Sequence, residues 1–493
     1  MAMLILDRLR ANEPSYSKLK LVYPPTEICR CSGDIQQLIA ALGANHTVTY
    51  VLLEGAFCRN LTNTDYQAVL NAVGKLPALQ DLEIWSSPVP VAALCQAVEQ
   101  AVYLRRLGLG MVTLMGDMTA AGLKCHPSLR TFCLSDFSLQ DHTIRLDHLF
   151  LSLATCPALE RVEIFANRSN SNSNTNSNTA VPWSPSSLAA LLYATPNLTL
   201  RRVGLAVDAV RLLPVHFKRQ QRLLSCNDNK VPWAPRLRVL DLNENQLKDA
   251  GSVLLIQALA EHGFAVKELI LRANEITATG CRGLVDQLLV TVNRSSTLEK
   301  LNLACNELKE AAAASLADLI RNHAKLKQLE LHRTSLTDVG CTLLADAVAT
   351  NHVLQSLGLS SNQFTDVSYV VWASALSQND TLQSISLQAD DKQITTTGAH
   401  ALLHMIREHN YQLDHIGTSL SASYDRAPAG KGWYHSRINM YLRLNHAGRR
   451  ILLQGKAASR SDWLQTVLAV QDDLNAILYL VQINPTLWLQ LER

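Results

Sequence analysis

Apolar residues recur at fixed offsets through the second half of the chain. In the stretch LEKLNLACNEL, residues 298–308, leucines follow the pattern L-x-x-L-x-L and precede a single asparagine, Asn306. The first leucine of the pattern returns every 28 residues, at Leu298, Leu326, Leu354 and Leu382. A period of this regularity predicts stacked copies of one supersecondary unit rather than several independent domains.

The repeated unit is predicted to combine one strand with one helix. The L-x-L core alternates between two faces, as a short strand does, and the apolar residues that follow return at helical spacing. One unit cannot bury its own apolar face, so neighbouring units must stack. Strands stack about 4.8 Å apart and helices about 10 Å apart, so the stack should curve with its strands on the concave side. The expected fold class is therefore α/β.

These units resemble leucine-rich repeats of the long, ribonuclease-inhibitor-like subtype. The resemblance implies a horseshoe solenoid, with parallel strands on the concave side and helices on the convex side, that binds proteins on its concave face and rims. The final segment breaks the repeat. Its YLRLN-x-x-GR helix and its NP-x-L ending are similar to the closing segment of uncharacterised leucine-rich-repeat proteins from some unicellular algae. We expect this segment to form a helical cap over the last repeat.

Four segments follow from the spacing of the repeats. We predict an N-terminal segment with a first, capping repeat (1–47), degenerate repeats (48–235), regular repeats (236–420) and the C-terminal helical cap (421–493). The degenerate part holds an Asn/Ser/Thr-rich stretch at 167–181, which is predicted to be a disordered insertion because it cannot bury apolar area. The predicted strands there are centred on Val51–Leu53, Leu82–Ile84, Leu107–Leu109, Phe132–Leu134, Val162–Ile164 and Val203–Leu205. The sequence HFKRQQR, which follows the last of these, is predicted to lie in a longer rim loop.

Composition and charge argue against several function classes. The net charge of +3 over 493 residues is too mild to indicate nucleic acid as the default partner. Eleven cysteines form no spaced framework, and the N-terminus lacks the apolar core of a signal peptide, so an intracellular, cytoplasmic monomer is expected. No stretch is long enough to span a membrane. Residues 426–460 carry eight Lys or Arg and no acidic residue; they could attract an acidic protein, RNA or anionic lipid, or form one solvated face of the cap.

No signature of catalysis or metal binding is complete. The phosphate-binding pattern G-x-x-x-x-G-K-[ST] is absent, and Gly108-x-Gly110 lacks a third glycine at the right offset. His400 and His404 have the spacing of zinc ligands on a helix, but no glutamate fills the H-E-x-x-H pattern. Cys29-x-Cys31 is more typical of packed thiols than of a metal site. We expect no enzymatic activity, no cofactor and no metal.

Candidate binding residues lie between and just after the strand leucines, on the face turned away from the helices. A mixed-charge patch is predicted from Asp241, Glu268, Arg272, Lys300, Asn302, Gln328, Glu330, His332 and Arg333. An ordinary solvated sheet face is the alternative. In the degenerate half, Trp85 and Phe165 fall on outward-facing positions and are candidate aromatic anchors.

The favoured function is a non-enzymatic scaffold that binds a protein partner on its concave face. The alternative is a regulator of an enzyme such as a small GTPase or a nuclease, because ribonuclease inhibitors and Ran GTPase-activating proteins share the repeat subtype. The slightly basic chain and its basic tail argue against that alternative. A ubiquitin-ligase adaptor would need an N-terminal F-box, and the first 45 residues show no such pattern.

Overall fold

The computed structural model divides into two compact units, one of Met1–Gln246 with Gln257–Val266 and one of Leu247–Ile256 with Lys267–Arg493. The residues that it describes are 2–22, 32–58, 61–116, 125–140, 146–166, 184–225, 235–292, 297–388, 394–417, 431–453 and 458–484. The predicted insertion at 167–181 and the thiols of Cys29 and Cys31 lie outside these residues.

The first unit is built on parallel strands that pair with their neighbours in chain order. They are β1 (Lys18–Leu21), β2 (Tyr50–Glu54), β3 (Asp81–Trp85), β5 (Arg106–Gly110), β7 (Thr131–Ser135), β9 (Arg161–Phe165), β10 (Asn197–Arg201) and β11 (Val239–Asp241). A separate small sheet contains β4 (Pro88–Pro90), β6 (Thr113–Met115) and β8 (Ser138–Leu139).

Helices alternate with these strands. They are α1 (Ala2–Arg10), α2 (Ser32–Gly43), α3 (Gly55–Cys58), α4 (Asn63–Gly74), α5 (Val91–Gln100), α6 (Asp147–Ala154), α7 (Pro185–Ala194), α8 (Val207–Arg211) and α9 (Leu213–Ser225). The next helix, α10 (Lys248–Glu261), contributes to both units. Alternation along each strand explains the core: in β3, Leu82 and Ile84 are fully buried, while Glu83 and Trp85 turn to the opposite face.

Two predictions for the degenerate half are wrong. The last predicted strand, centred on Val203–Leu205, is displaced: β10 ends at Arg201, because Arg202 and Gly204 adopt positive φ angles of 55° and 68° and interrupt the extended chain. The stretch HFKRQQR is not a rim loop but part of α9. Phe217 holds this helix in place, since its buried ring lies 5.4 Å from the Tyr193 ring and 4.9 Å from the Phe264 ring, centroid to centroid.

The second unit contains the regular repeats. Its strands are β12 (Glu268–Ile270), β13 (Lys300–Asn302), β14 (Gln328–Glu330), β15 (Ser356–Gly358), β16 (Ser384–Ser386) and β17 (His415–Gly417), all parallel. Its helices are α11 (Ala278–Val292), α12 (Ala313–Asn322, preceded by a 3-10 turn at Glu310–Ala312), α13 (Asp338–Ala349), α14 (Asp366–Leu376), α15 (Thr396–Glu408), α16 (Lys431–His446), α17 (Arg449–Leu453), α18 (Arg460–Ala469) and α19 (Leu474–Ile483). The predicted α/β class, with parallel strands and a returning helix in each repeat, is confirmed.

The turn asparagines join neighbouring repeats. Asn306 is 2% exposed, and its side-chain oxygen accepts the N–H groups of Asn274 and Ile276 from the preceding repeat. Its amide nitrogen donates to the carbonyls of Leu271 and Leu303, at 2.9 and 2.8 Å. These backbone groups lie beyond the strand ladder, so the asparagine satisfies polar groups that would otherwise be buried unpaired.

A second asparagine series was not predicted. Asn351, Asn379 and Asn410 each stand three residues before the first leucine of a repeat. The side-chain oxygen of each accepts the N–H of that leucine, and the amide nitrogen donates to a carbonyl of the preceding repeat. The pattern N-x-x-L, at the same point of three successive repeats, was the sequence signal for it.

The C-terminal helices complete this series, as expected for a cap. Asn445 in α16 donates to the carbonyls of Asn410 and Leu413, so it takes the place of the next repeat's asparagine. Arg449 has no exposed surface, and its guanidinium donates to the carbonyls of Ile406 and Arg407. The guanidinium also lies 4.7, 4.7 and 5.3 Å from the ring centroids of three tyrosines, Tyr411, Tyr441 and Tyr479. The YLRLN-x-x-GR sequence therefore encodes the attachment of the cap.

Candidate functional site

The strand register sets out the outward side chains of the second unit in rows. One row runs through Glu268, Lys300, Gln328 and Ser356, and the next through Ile270, Asn302, Glu330 and Gly358. Large side chains on β12 to β14, all but Ile270 charged or amide, thus give way to serine and glycine on β15. Because of this change in side-chain size, the sheet face is lower at β15 than at β12 to β14.

An open depression of ≈ 440 Å³ lies on this face. Its lining consists of Arg272, Lys300, Asn302, Ala304, Cys305, Gln328, Glu330, His332, Arg333, Ser360 and Ser361. Seven of the nine residues of the predicted patch are in this lining. Glu268 lies outside it, half-buried at the start of β12, and Asp241 belongs to the first unit.

Gly358 allows two of the lining side chains to cross the neighbouring strand. A Cβ atom added at Gly358 would lie 1.9 Å from Oε2 of Glu330 and 2.3 Å from Nε2 of His332. Any larger residue would displace both groups. Gly358 was not among the residues predicted from the sequence, although a glycine between two strand leucines, Leu357 and Leu359, is a visible signal.

Hydrogen bonds hold Glu330 and His332 in one arrangement. His332 Nδ1 accepts the Ser360 N–H at 3.0 Å, so the ring proton is on Nε2, which lies 2.6 Å from Glu330 Oε2. Gln328 donates to the other carboxylate oxygen of Glu330 at 2.8 Å. Burial alone would raise the pKa of Glu330, but the hydrogen bonds from His332 and Gln328 outweigh it and hold the pKa below its ordinary value. Glu330 is therefore a carboxylate with both oxygens engaged.

The upper edge of the depression is formed where the strands turn. Cys305, Arg333 and Ser361 occupy equivalent corner positions in three successive repeats, with φ angles of 57°, 54° and 61°. This left-handed conformation ends the extended chain, and it leaves Arg333 exposed at the edge. Beside it, Asn302 accepts the Ala304 N–H through its side-chain oxygen, at 3.0 Å.

In the first unit, Trp85 is on the outward face as predicted and is 38% exposed. Its ring covers Gly110 of the next strand, where an added Cβ would lie 2.6 Å from the indole. Its Nε1–H donates to Glu83, which also accepts the Tyr50 hydroxyl and pairs with Arg106. The glycines of the Gly108-x-Gly110 sequence thus make room for neighbouring side chains.

Phe165 and Asp241 are connected through Arg201. The guanidinium of Arg201 lies 5.6 Å from the Phe165 ring centroid and donates to Asp241 Oδ2 through Nε and Nη2, at 2.8 and 2.5 Å. Asp241 is only 3% exposed. Its carboxylate is therefore occupied by Arg201 rather than presented at the surface. Phe165 is half-buried under the same arginine.

A family model described as "Leucine Rich repeat" matches residues 294–317, which contain the strand β13 and its turn asparagine. The parallel strands, the returning helices and the turn-asparagine bonds agree with this match. The described part of the chain therefore has a fold of the leucine-rich-repeat type. No curated protein matches the chain significantly.

Several solved structures are similar to parts of this chain. TLR13 from a TLR13–ssRNA13 complex is 16% identical, with 73% of this chain and 42% of that chain covered and a TM-score of 0.41. An internalin from Listeria monocytogenes is 14% identical, covers 80% and 97%, and has a TM-score of 0.39. The tropomodulin C-terminal domain from Caenorhabditis elegans is 16% identical, covers 35% and 99%, and has a TM-score of 0.29. At these values, none of the three indicates a function.

Two further expectations from the sequence concern metal binding and membrane spanning. His400 and His404 are exposed on α15, and among the described residues no group of His, Cys, Asp or Glu could hold a metal ion. No helix in the described part of the chain is long and apolar enough to cross a membrane.

Three of the eight basic residues at 426–460 are engaged within the protein. Arg443 pairs with Asp472 and Asp473, and Arg450 pairs with Asp380 and donates to Gln412. Arg449 is buried in the cap. Arg449 and Arg450 thus connect the cap to the repeats, and Arg443 connects segments within the cap.

Proposed function

We propose that the protein is a non-enzymatic scaffold that binds a protein partner on the sheet face of its second unit. The observation that carries the proposal is the open depression, which gathers seven side chains of the predicted patch around one concave site. Concave sites with a few directed polar groups are where partner side chains insert. The small side chains of Ala304, Ser360 and Ser361 keep the floor low, while Arg272, Lys300 and Arg333 supply the charged border.

The chemistry of the depression supports binding rather than catalysis. A thiol, an imidazole and a carboxylate are present in Cys305, His332 and Glu330, the types of group that nucleophilic enzymes use. However, both ring nitrogens of His332 are already engaged, with Ser360 and with Glu330. The imidazole therefore has no nitrogen left to accept a proton from Cys305. In the first unit, burial and the nearby Glu163 raise the pKa of Cys133 to about 11, which also disfavours a reactive thiolate.

Affinity capture with matched variants tests the proposal. The protein carrying Glu330→Ala, His332→Ala and Arg333→Ala should lose a partner that the wild type captures. A control variant carries Asp318→Ala, Arg321→Ala and Lys325→Ala, three exposed positions on or next to α12, and should retain that partner. A partner retained by both variants would exclude this face and direct attention to Trp85 and Phe165.

The regulator alternative makes a different prediction. A small GTPase or nuclease mixed with the protein should change its turnover rate, and the sheet-face variant should abolish the change. We propose the scaffold over the regulator, since no geometry described above favours an effect on an enzyme. Monomeric state, intracellular location and lack of nucleic-acid binding stay predictions from the sequence.

A further inference from the structure

We propose that the depression in the second unit accepts an acidic side chain, an aspartate or glutamate carboxylate on an extended segment of a protein partner. This inference rests on the proposed scaffold function and specifies the chemistry of the partner. It is carried by the charge, the donors and the shape of the lining together.

The lining has an excess of positive charge. Three basic side chains, Arg272, Lys300 and Arg333, share it with a single carboxylate, Glu330. Neither Lys300 nor Arg333 has a carboxylate within ion-pair distance in the described part of the chain. Lys300 and Arg333 alone exceed the single charge of Glu330 on a partly enclosed surface, where screening by solvent is weaker than on a flat face. Such a site attracts an anion.

The carboxylate of Glu330 does not fill this role itself. Its oxygens accept hydrogen bonds from Gln328 and His332, and the side chain extends across Gly358, towards the next strand. Lys300 contributes to the low pKa of Glu330 through its charge, but the two groups are not in ion-pair contact. The cationic side of the depression is thus open to a carboxylate from outside.

Neutral donors are placed beside the cations. The side-chain oxygen of Asn302 accepts the Ala304 N–H, which leaves its amide nitrogen as the end that can donate to a ligand. Ala304 is 3% exposed and has no side chain beyond Cβ, so the floor next to Asn302 stays low. A carboxylate entering there can accept from Lys300 and Asn302 while Arg333 supplies a planar, two-pronged donor from the edge.

Nucleic acid fits the same site poorly. Proteins that hold single strands combine a basic track with aromatic rings on which bases stack. The lining includes no Phe, Tyr or Trp, and its three basic side chains do not form a track. A carboxylate side chain is small enough for a single depression and needs no stacking surface. The observations therefore favour an acidic protein segment.

The test uses defined peptides and the full-length protein. A fluorescein-labelled peptide of alternating Glu and Gly is compared, by fluorescence anisotropy, with the same peptide carrying Gln in place of Glu. We expect the Glu peptide to bind about tenfold more tightly at low salt and to lose that advantage at about 0.5 M salt. The double variant Lys300→Glu/Arg333→Glu should lower its affinity by about tenfold or more and should bind a Lys/Gly peptide instead.

The control is Arg321→Glu/Lys325→Glu, which makes the same charge change on two exposed residues outside the lining, and should leave binding unchanged. Circular dichroism must show that both variants are folded. Equal binding of the Glu and Gln peptides, no effect of the double variant, or tighter binding of an oligoribonucleotide than of the Glu peptide would overturn the inference. A captured partner that is lost on changing Glu330, His332 and Arg333, but that shows no dependence on acidic residues, would contradict the acidic chemistry and leave the scaffold function standing.

Discussion

Replacing Asn306 by alanine should destabilise the second unit far more than its single side chain suggests. The change removes the acceptor of two buried amide groups, those of Asn274 and Ile276, and the donor to the carbonyls of Leu271 and Leu303. A buried polar group left unpaired costs about 1–3 kcal/mol, so the two amide groups alone account for about 2–6 kcal/mol. Counting relaxation of the turn, we expect a loss of about 3–5 kcal/mol in the free energy of unfolding.

The next repeat provides a graded comparison. Thr334 occupies the position equivalent to Asn306, and its hydroxyl donates to the Leu331 carbonyl at 2.8 Å. Asn306→Thr can therefore keep one carbonyl bond, and it should be about 1 kcal/mol less destabilising than Asn306→Ala. Asn322, exposed at the end of α12, is the matched control, because its amide makes a single bond to the Asp318 carbonyl. Asn322→Ala should change stability by about 0.5 kcal/mol or less.

Two measurements read out the effect. Urea unfolding followed by circular dichroism gives the global loss, although repeat proteins can unfold in steps. Hydrogen exchange resolved to the segment 269–280 gives the local loss of stability, since the amides of Asn274 and Ile276 should exchange faster in the variant. If Asn306→Ala matches the Asn322→Ala control in stability, and these amides keep their wild-type exchange rates, the assigned role of the turn asparagine is incorrect.

Three further predictions concern the cap, the depression and the helix starts. Arg449→Met should lower the free energy of unfolding by about 2–4 kcal/mol and make the cap sensitive to limited proteolysis, because two carbonyls and three tyrosine rings lose their contacts with the guanidinium. A proteolysis pattern like the wild type's would contradict this. Gly358→Ala should weaken partner binding while the thermal midpoint falls by a few degrees at most, since Glu330 and His332 must move aside. Burial raises the pKa of Asp338, but hydrogen bonds from Ser368 and Thr365 outweigh it and hold the pKa below its ordinary value. The ionised carboxyl of Asp338 therefore stabilises the fold fully at pH values above its pKa in the unfolded chain. This stabilisation is lost as the pH falls through its lower pKa in the folded protein. Acid unfolding monitored by fluorescence should therefore be steeper for wild type than for Asp338→Asn.

The sequence predicts which side chains of the site face outward, but it does not predict which side chains contact each other. Alternation along a strand indicates that Lys300 and Asn302 face outward, and the structure places both in the depression. The same rule selected Asp241, whose carboxylate is covered by Arg201 from 40 residues earlier. No pattern near Asp241 reveals that pairing, because it depends on which side chains the register brings together across strands.

The sequence by itself determined the repeat, its period and the burial of the strand leucines and turn asparagines. These depend on local spacing, since a period of two places alternate residues on opposite faces wherever the strand lies. Which polar side chains stay accessible depends on contacts in the tertiary structure. Glu330 is held by His332, Arg443 is paired with Asp472, and Arg449 is enclosed by rings from three separate segments. Each of these contacts depends on where a residue distant in the sequence lies in space, whereas the strand pattern depends only on the order of residues along the chain.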